Sequence, residues 1–198
     1  MDNKMKTKNC IGLTGRMGSG KGEVVKILEK MSFKYISLSD MVREEIAGRM
    51  PPGREVSRRE TQDVGNRLRK EGGAGILGKR VRQKIESMDD IERWVIDGIR
   101  NPAEVMELRR LHGFYLLGIQ APISTLLNRI KSRKRGTDLD DDDALLNHME
   151  REWGNGEPQD GQQVGKCMEM ADYIIENVNT LDDLKTDILK VLAGLNIF

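Results

Sequence analysis

With 198 residues, 37% hydrophobic, 33% charged and a net charge of +1, the chain has room for one α/β domain and no overall excess of either charge. Near-neutrality gives no general attraction to membranes and disfavours nucleic acid as a partner. No apolar run approaches the ~20 residues of a membrane span. The opening MDNKMKTKNC lacks the apolar stretch of a secretory signal, and Cys10 and Cys167 have no metal or redox spacing, so a cytoplasmic protein with reduced thiols is expected.

Apolar runs alternate with helical patterns along the chain. Residues 10–14 read as a strand, and Val24, Val25, Leu28 and Met31 then share one helical face. Tyr35, Ile36 and Leu38 suggest a second strand, followed by a helix over 40–49 that Pro51-Pro52-Gly53 ends. Ser57 with Glu60 forms a capping box opening a helix that the Gly72–Gly75 cluster breaks, and Leu77, Val81 and Ile85 continue as another. Trp94, Val95 and Ile96 form a strand ending in Asp97-Gly98; Asn101, Pro102 and Glu104 cap the next helix. Residues 114–119 are a strand, and Pro122 starts a helix through Ile130. Residues 134–170 are polar with few core signals and are read as a lid. Tyr173, Ile174 and Ile175 make a fifth strand, and Thr180 caps a last helix. This alternation predicts a single three-layer α/β domain over 1–198, a five-stranded parallel sheet with helices on both faces. Its ligands should bind beyond the carboxyl ends of the strands.

Residues 15–21 read G-x-x-x-x-G-K between the first strand and an amphipathic helix, the setting a phosphate-binding loop requires. Gly15, Gly18, Ser19, Gly20, Lys21, Gly22 and Glu23 are therefore expected around ATP, with Lys21 offsetting charge in the transition state. The Ser or Thr that would follow the lysine as a Mg²⁺ ligand is Gly22 here. Asp97, closing a hydrophobic strand, is the candidate to hold Mg²⁺ through water, against the alternative of a turn-capping aspartate. Arg43 and Arg100 each follow a strand end, where a guanidinium fork can hold a phosphate. Asp40 reads as a helix cap, a substrate orienter or a general base. A hydroxyl acceptor would need that base, and an ionised phosphate would not. The aspartates between Asp138 and Asp143 read as an acidic helix start, and His112 and His148 as structural or surface residues.

The Gly-Lys-Gly ending of the loop resembles that of adenylate kinases. Ser39-Asp40-Met41-Val42-Arg43 resembles their G-D-M-L-R segment, and Asp97-Gly98-Ile99-Arg100 their D-G-F-P-R, one residue shorter. Asn128-Arg129-Ile130-Lys131-Ser132-Arg133 resembles the D-R-x-x-x-R run at the lid hinge. On these matches the chain is identified as a member of the nucleoside monophosphate kinase-like P-loop group. The resemblance implies that Arg43 and Arg100 hold an acceptor phosphate, that Asp97 serves the metal, and that Arg129 and Arg133 contact ATP, with the acceptor helices at about 39–90. The tail, Ala171 to Asn177, resembles dephospho-CoA kinases, and Glu60 to Arg69 resembles adenylate-kinase-related and dephospho-CoA-kinase-like proteins and kinase-like domains fused to deoxycytidylate deaminases. The deaminase motifs H-x-E and P-C-x-x-C do not occur.

The expected function is transfer of the γ-phosphate of ATP to a small phosphate-bearing acceptor, a nucleoside or deoxynucleoside monophosphate. The alternatives are a dephospho-CoA-type kinase acting on a sugar hydroxyl of a CoA precursor, a kinase of a modified nucleotide or nucleic-acid hydroxyl, and a non-catalytic nucleotide-binding switch. The residues assign no oligomeric state.

Overall fold

The structure, a computed structural model, describes residues 8–48, 56–132 and 142–197. Three expectations fall outside those residues: the Pro51-Pro52-Gly53 stop, Arg133, and the aspartates before Asp142.

Five parallel strands, β1 (Asn9–Thr14), β2 (Lys34–Ser37), β3 (Arg93–Asp97), β4 (Phe114–Gln120) and β5 (Tyr173–Glu176), lie in the order β2-β3-β1-β4-β5. Central β1 is buried almost throughout, as a parallel strand covered on both faces must be. Its side chains alternate between two cores. Ile11 and Leu13 face α1 (Lys21–Glu29) and α9 (Leu181–Gly194), packing with Val24, Leu28, Leu184 and Ile188. Cys10 faces the layer of α2 (Leu38–Ala47), α3 (Arg58–Gly72), α4 (Ile76–Glu86), α5 (Pro102–Leu108) and α8 (Val164–Glu169). A third, smaller core joins α6 (Ile123–Ser132) and α7 (Asp142–Trp153) to the loop after β1 through Met17, Leu126, Ile130, Leu145 and Met149. The parallel sheet with helices on both faces is thus as the sequence predicts.

Local signals explain most boundaries. Asn101 and Thr180 each close a full capping box, with Glu104 and Asp183. Ser57 Oγ accepts from the Glu60 N–H at 3.1 Å. α3 ends at the glycine cluster, where Gly73 takes φ +89°. Leu38 is corrected from strand to helix: Ser37 Oγ accepts from the Ser39 N–H, so the cap lies one residue earlier than the apolar run suggests.

The expectation of few core residues in 134–170 is also corrected. Leu145, Met149, Val164, Cys167 and Met168 are buried. Much of that stretch is packed body, and its last third forms a layer against β1 and α5. Burial pushes the Cys10 thiol up to about 12 and raises Cys167 further, so both remain protonated core residues.

Among the described residues no helix is long and apolar enough to cross a membrane.

Candidate active site

The loop between β1 and α1 turns on glycines whose backbone would strain any other residue. Gly15 has φ +136°, and a Cβ on it would stand 2.1 Å from the carbonyl oxygen of Ile119. Gly20 has φ +106°, and a Cβ there would meet Asn177 Nδ2 at 2.1 Å. That amide donates to the Ser19 carbonyl at 2.8 Å, tying the loop to the exit of β5. Lys21 Nζ donates to the carbonyls of Gly15 and, at 2.9 Å, Arg16, so the ammonium arches across the mouth of the loop. A Cβ on Gly22 would meet nothing within 4 Å. The missing hydroxyl is therefore a chemical departure, with no steric cause. Glu23 is ion-paired to Lys26 at 2.9 Å. Ser19 Oγ and Arg129 Nη1 are buried without a hydrogen-bond partner among the described residues.

Pairing of Ser37 with Asp97 in the β2–β3 register, and of Ile96 with Gly12 in β1, brings the three strand ends together. Asp97 Oδ1 accepts from the Gly98 N–H at 2.7 Å. Arg43, one turn beyond Asp40 on α2, donates to its Oδ1 at 2.6 Å; both side chains are exposed. Arg100 is held far more firmly. Its N–H donates to Glu104 Oε2 at 2.8 Å, its carbonyl accepts from the Gln163 N–H at 2.6 Å, and its Nη1 donates to Ser39 Oγ at 3.0 Å.

The remaining contact of Arg100 is to a residue the sequence reading passed over. Arg100 Nε donates to Glu152 Oε1 at 3.3 Å, and Glu152 Oε2 accepts from the Met17 N–H in the phosphate loop at 2.8 Å. Glu152 is only 2% exposed. Burial alone would raise its carboxyl; the charges of Arg100 and Lys21, the Met17 N–H and His148 outweigh this and hold it below the ordinary range. A signal existed in the sequence: Glu152 follows Leu145 and Met149 at i, i+4, i+7, so it takes a core position on α7, where a lone carboxylate needs partners.

One cleft of about 520 Å³ gathers these groups. Gly18, Gly20 and Lys21 of the phosphate loop, Tyr35, Arg43 and Arg100 from the neighbouring strand ends and α2, and Asp97, His148 and Glu152 all line it. His148, read from the sequence as structural or surface, is thus placed at the cleft. Arg69, Gln62 and Gln162, all buried, line it as well. Among the described residues no three histidine, cysteine or carboxylate side chains cluster into a metal cage. A strand-end carboxylate such as Asp97, in the same cleft as a phosphate loop, suits Mg²⁺, which takes most of its ligands from phosphate oxygens and water. Bound that way, with Asp97 as the protein's contribution, the ion would neutralise phosphate charge.

Residues 11–152 match the protein family described as AAA domain. A UPF0200 protein of Methanosarcina barkeri is 34% identical over 189 residues, covering 93% of this chain and 94% of that one. A UPF0200 protein of Methanosarcina mazei is 33% identical over 188 residues, covering 93% and 94%. The chain belongs to the UPF0200 family. Among solved structures, this UPF0200 chain is similar to the Thermus thermophilus protein TT1252, with a TM-score of 0.60 at 23% identity over 96% of this chain and 99% of that one. It also resembles the shikimate kinase of Acinetobacter baumannii, with a TM-score of 0.56 at 14% identity over 96% of each. These likenesses establish that the UPF0200 chain has a P-loop kinase-like fold. The motif order read from its sequence, that of the nucleoside monophosphate kinase-like group, agrees.

Proposed function

We propose that the chain is an ATP-dependent phosphotransferase whose acceptor is a nucleoside or deoxynucleoside monophosphate. The observation that carries this reading is that one cleft is lined both by the phosphate loop with its lysine and by two further arginines, Arg43 and Arg100. A pure nucleotide binder has no use for this second set of cations. In this reading the loop and Lys21 hold the β- and γ-phosphates, and Arg43 and Arg100 hold the acceptor phosphate. The donor and acceptor oxygens then lie in one cleft, where positioning and charge supply most of the rate. An ionised phosphate acceptor needs no base, so Asp40 only orients Arg43.

A second reading, phosphorylation of a hydroxyl as in a dephospho-CoA-type kinase, is favoured by one observation: a carboxylate, Asp40, stands directly beside Arg43. It could take the hydroxyl proton.

ADP release against a panel of monophosphates, deoxymonophosphates and dephospho-CoA separates the two. On the best acceptor, Arg100→Ala and Arg43→Ala should each cost about 2–5 kcal/mol in kcat/KM, and Asp40→Asn much less. An Asp40 defect larger than both arginine defects would replace the first reading with the second.

A further inference from the structure

Three consecutive residues at the end of α7 contact the phosphate loop, α3 and the turn bearing Arg100. Glu150 pairs with Arg16 of the phosphate loop at 2.9 Å, and that guanidinium lies 4.2 Å from the ring centroid of Trp153. Arg151 Nη1 donates to Gln62 Oε1 at 3.0 Å and to Asp63 Oδ1 at 2.9 Å, both on α3 of the acceptor side. Glu152 turns inward, to the Met17 N–H and to Arg100 Nε.

A buried carboxylate in a cleft that binds polyanions opposes their charge, and it is tolerable only if it organises the cations there. The geometry says what it organises. Glu152 grips Arg100 from the Nε side and Ser39 grips Nη1, so contacts from α7 and α2 fix the plane of the guanidinium. The other oxygen of the same carboxylate fixes the loop backbone at Met17. One rigid group thus spans from the loop that holds the donor phosphates to the arginine assigned to the acceptor.

We propose that Glu152 is a positioning residue, a strut that sets the separation of the phosphate loop and Arg100 and hence of donor and acceptor phosphates. This rests on the function proposed above. Phosphoryl transfer depends steeply on that separation, since an error of about 1 Å can cost ~10²-fold.

The test is a double-mutant cycle on the full chain with Glu152→Gln, Arg100→Ala and both together. It reads ATP affinity by calorimetry, kcat and KM on the best acceptor, and ADP release without acceptor. Glutamine still accepts from Met17 but loses the charge facing Arg100. We expect Glu152→Gln to lower kcat/KM for the acceptor by roughly 30–100-fold and ATP affinity by no more than about threefold. The double variant should be within about threefold of Arg100→Ala alone, because a strut has nothing to position once the arginine is gone. Losses that multiply, or an ATP affinity that falls as far as kcat/KM, would overturn the proposal. If Glu152→Gln does not fold, Glu152→Asp, which keeps the charge and shortens the reach, should give the same pattern at smaller size. If the wild type uses no monophosphate, the function above fails, and the cycle is read on acceptor-free ADP release: coupled losses keep the strut, and multiplying losses remove it.

Discussion

Arg69 Nε and Glu104 Oε1 meet at 2.8 Å with side chains 3% and 0% exposed, and Arg69 also lines the cleft. Glu104 Oε2 also accepts from the N–H groups of Arg100 and Asn101. The pair therefore joins α3 to the turn that presents Arg100. Removing one partner leaves an uncompensated buried charge, so Arg69→Met should cost about 3–5 kcal/mol of unfolding free energy. The double variant Arg69→Met/Glu104→Leu should cost less than the sum of the two single changes. Urea denaturation measures both, and a loss below about 1 kcal/mol would show that the pair is not desolvated in solution.

Lys21→Met should lower phosphoryl transfer by roughly 10²–10³-fold, because it removes the cation at the loop mouth. The fold should survive, since the ammonium's hydrogen bonds to the Gly15 and Arg16 carbonyls lie within the loop itself. Turnover and thermal melting read the two effects separately, and near-wild-type turnover would refute the loop assignment.

Gly22→Ser tests why the loop lacks its hydroxyl. Open space surrounds the would-be Cβ and the position lies in the first turn of α1, so the variant should melt higher by about 1–2 °C through its better helix propensity. It should also need several-fold less Mg²⁺ for half-maximal activity, because a ligand has been added. An unchanged Mg²⁺ requirement would show that the ion does not reach this turn.

The depressed carboxyl of Glu152 makes a signed prediction for acid. A group whose folded value lies below its unfolded value, about 4.3 for glutamate, adds stability above that value and loses it as pH falls through the folded one. The stability gap between wild type and Glu152→Gln should be full at neutral pH and narrow progressively below about pH 4. Denaturation curves for both proteins at pH 7, 5 and 3.5 check this. A gap independent of pH would mean that the carboxylate is not held ionised by its neighbours.

The elements that carry the fold were legible because each combined two local signals. The loop had a strand before it and an amphipathic helix after it; β3 was a short apolar run closed by Asp97-Gly98; α5 and α9 announced themselves by caps. That Arg100 would stand near the phosphate loop was legible for the same reason, and it lines the same cleft. Glu152, His148 and Gln62 were not, because their roles arise from contacts with residues far away in sequence. Glu152 meets Met17 across 135 positions, and Arg151 meets Gln62 across 89. The polar composition of 134–170 also hid its core stripe: five buried apolar side chains spread over two short helices leave no run long enough to stand out. Leu38 shows the smaller limit, that an apolar residue at a strand end can as readily open the next helix when a serine precedes it.

Asn177 supports Ser19 from 158 positions away, and it fills the space beside Gly20. This long reach constrains the order of events during synthesis. The glycine-rich loop emerges from the ribosome well before its brace, which can be made only after β5 has followed. β1, at the centre of the sheet, must likewise wait for β3 and β4 before it has neighbours on both sides. The growing chain therefore carries its glycine-rich loop through the synthesis of four further strands without the brace that holds it in shape, and the loop is completed only once β5 has followed.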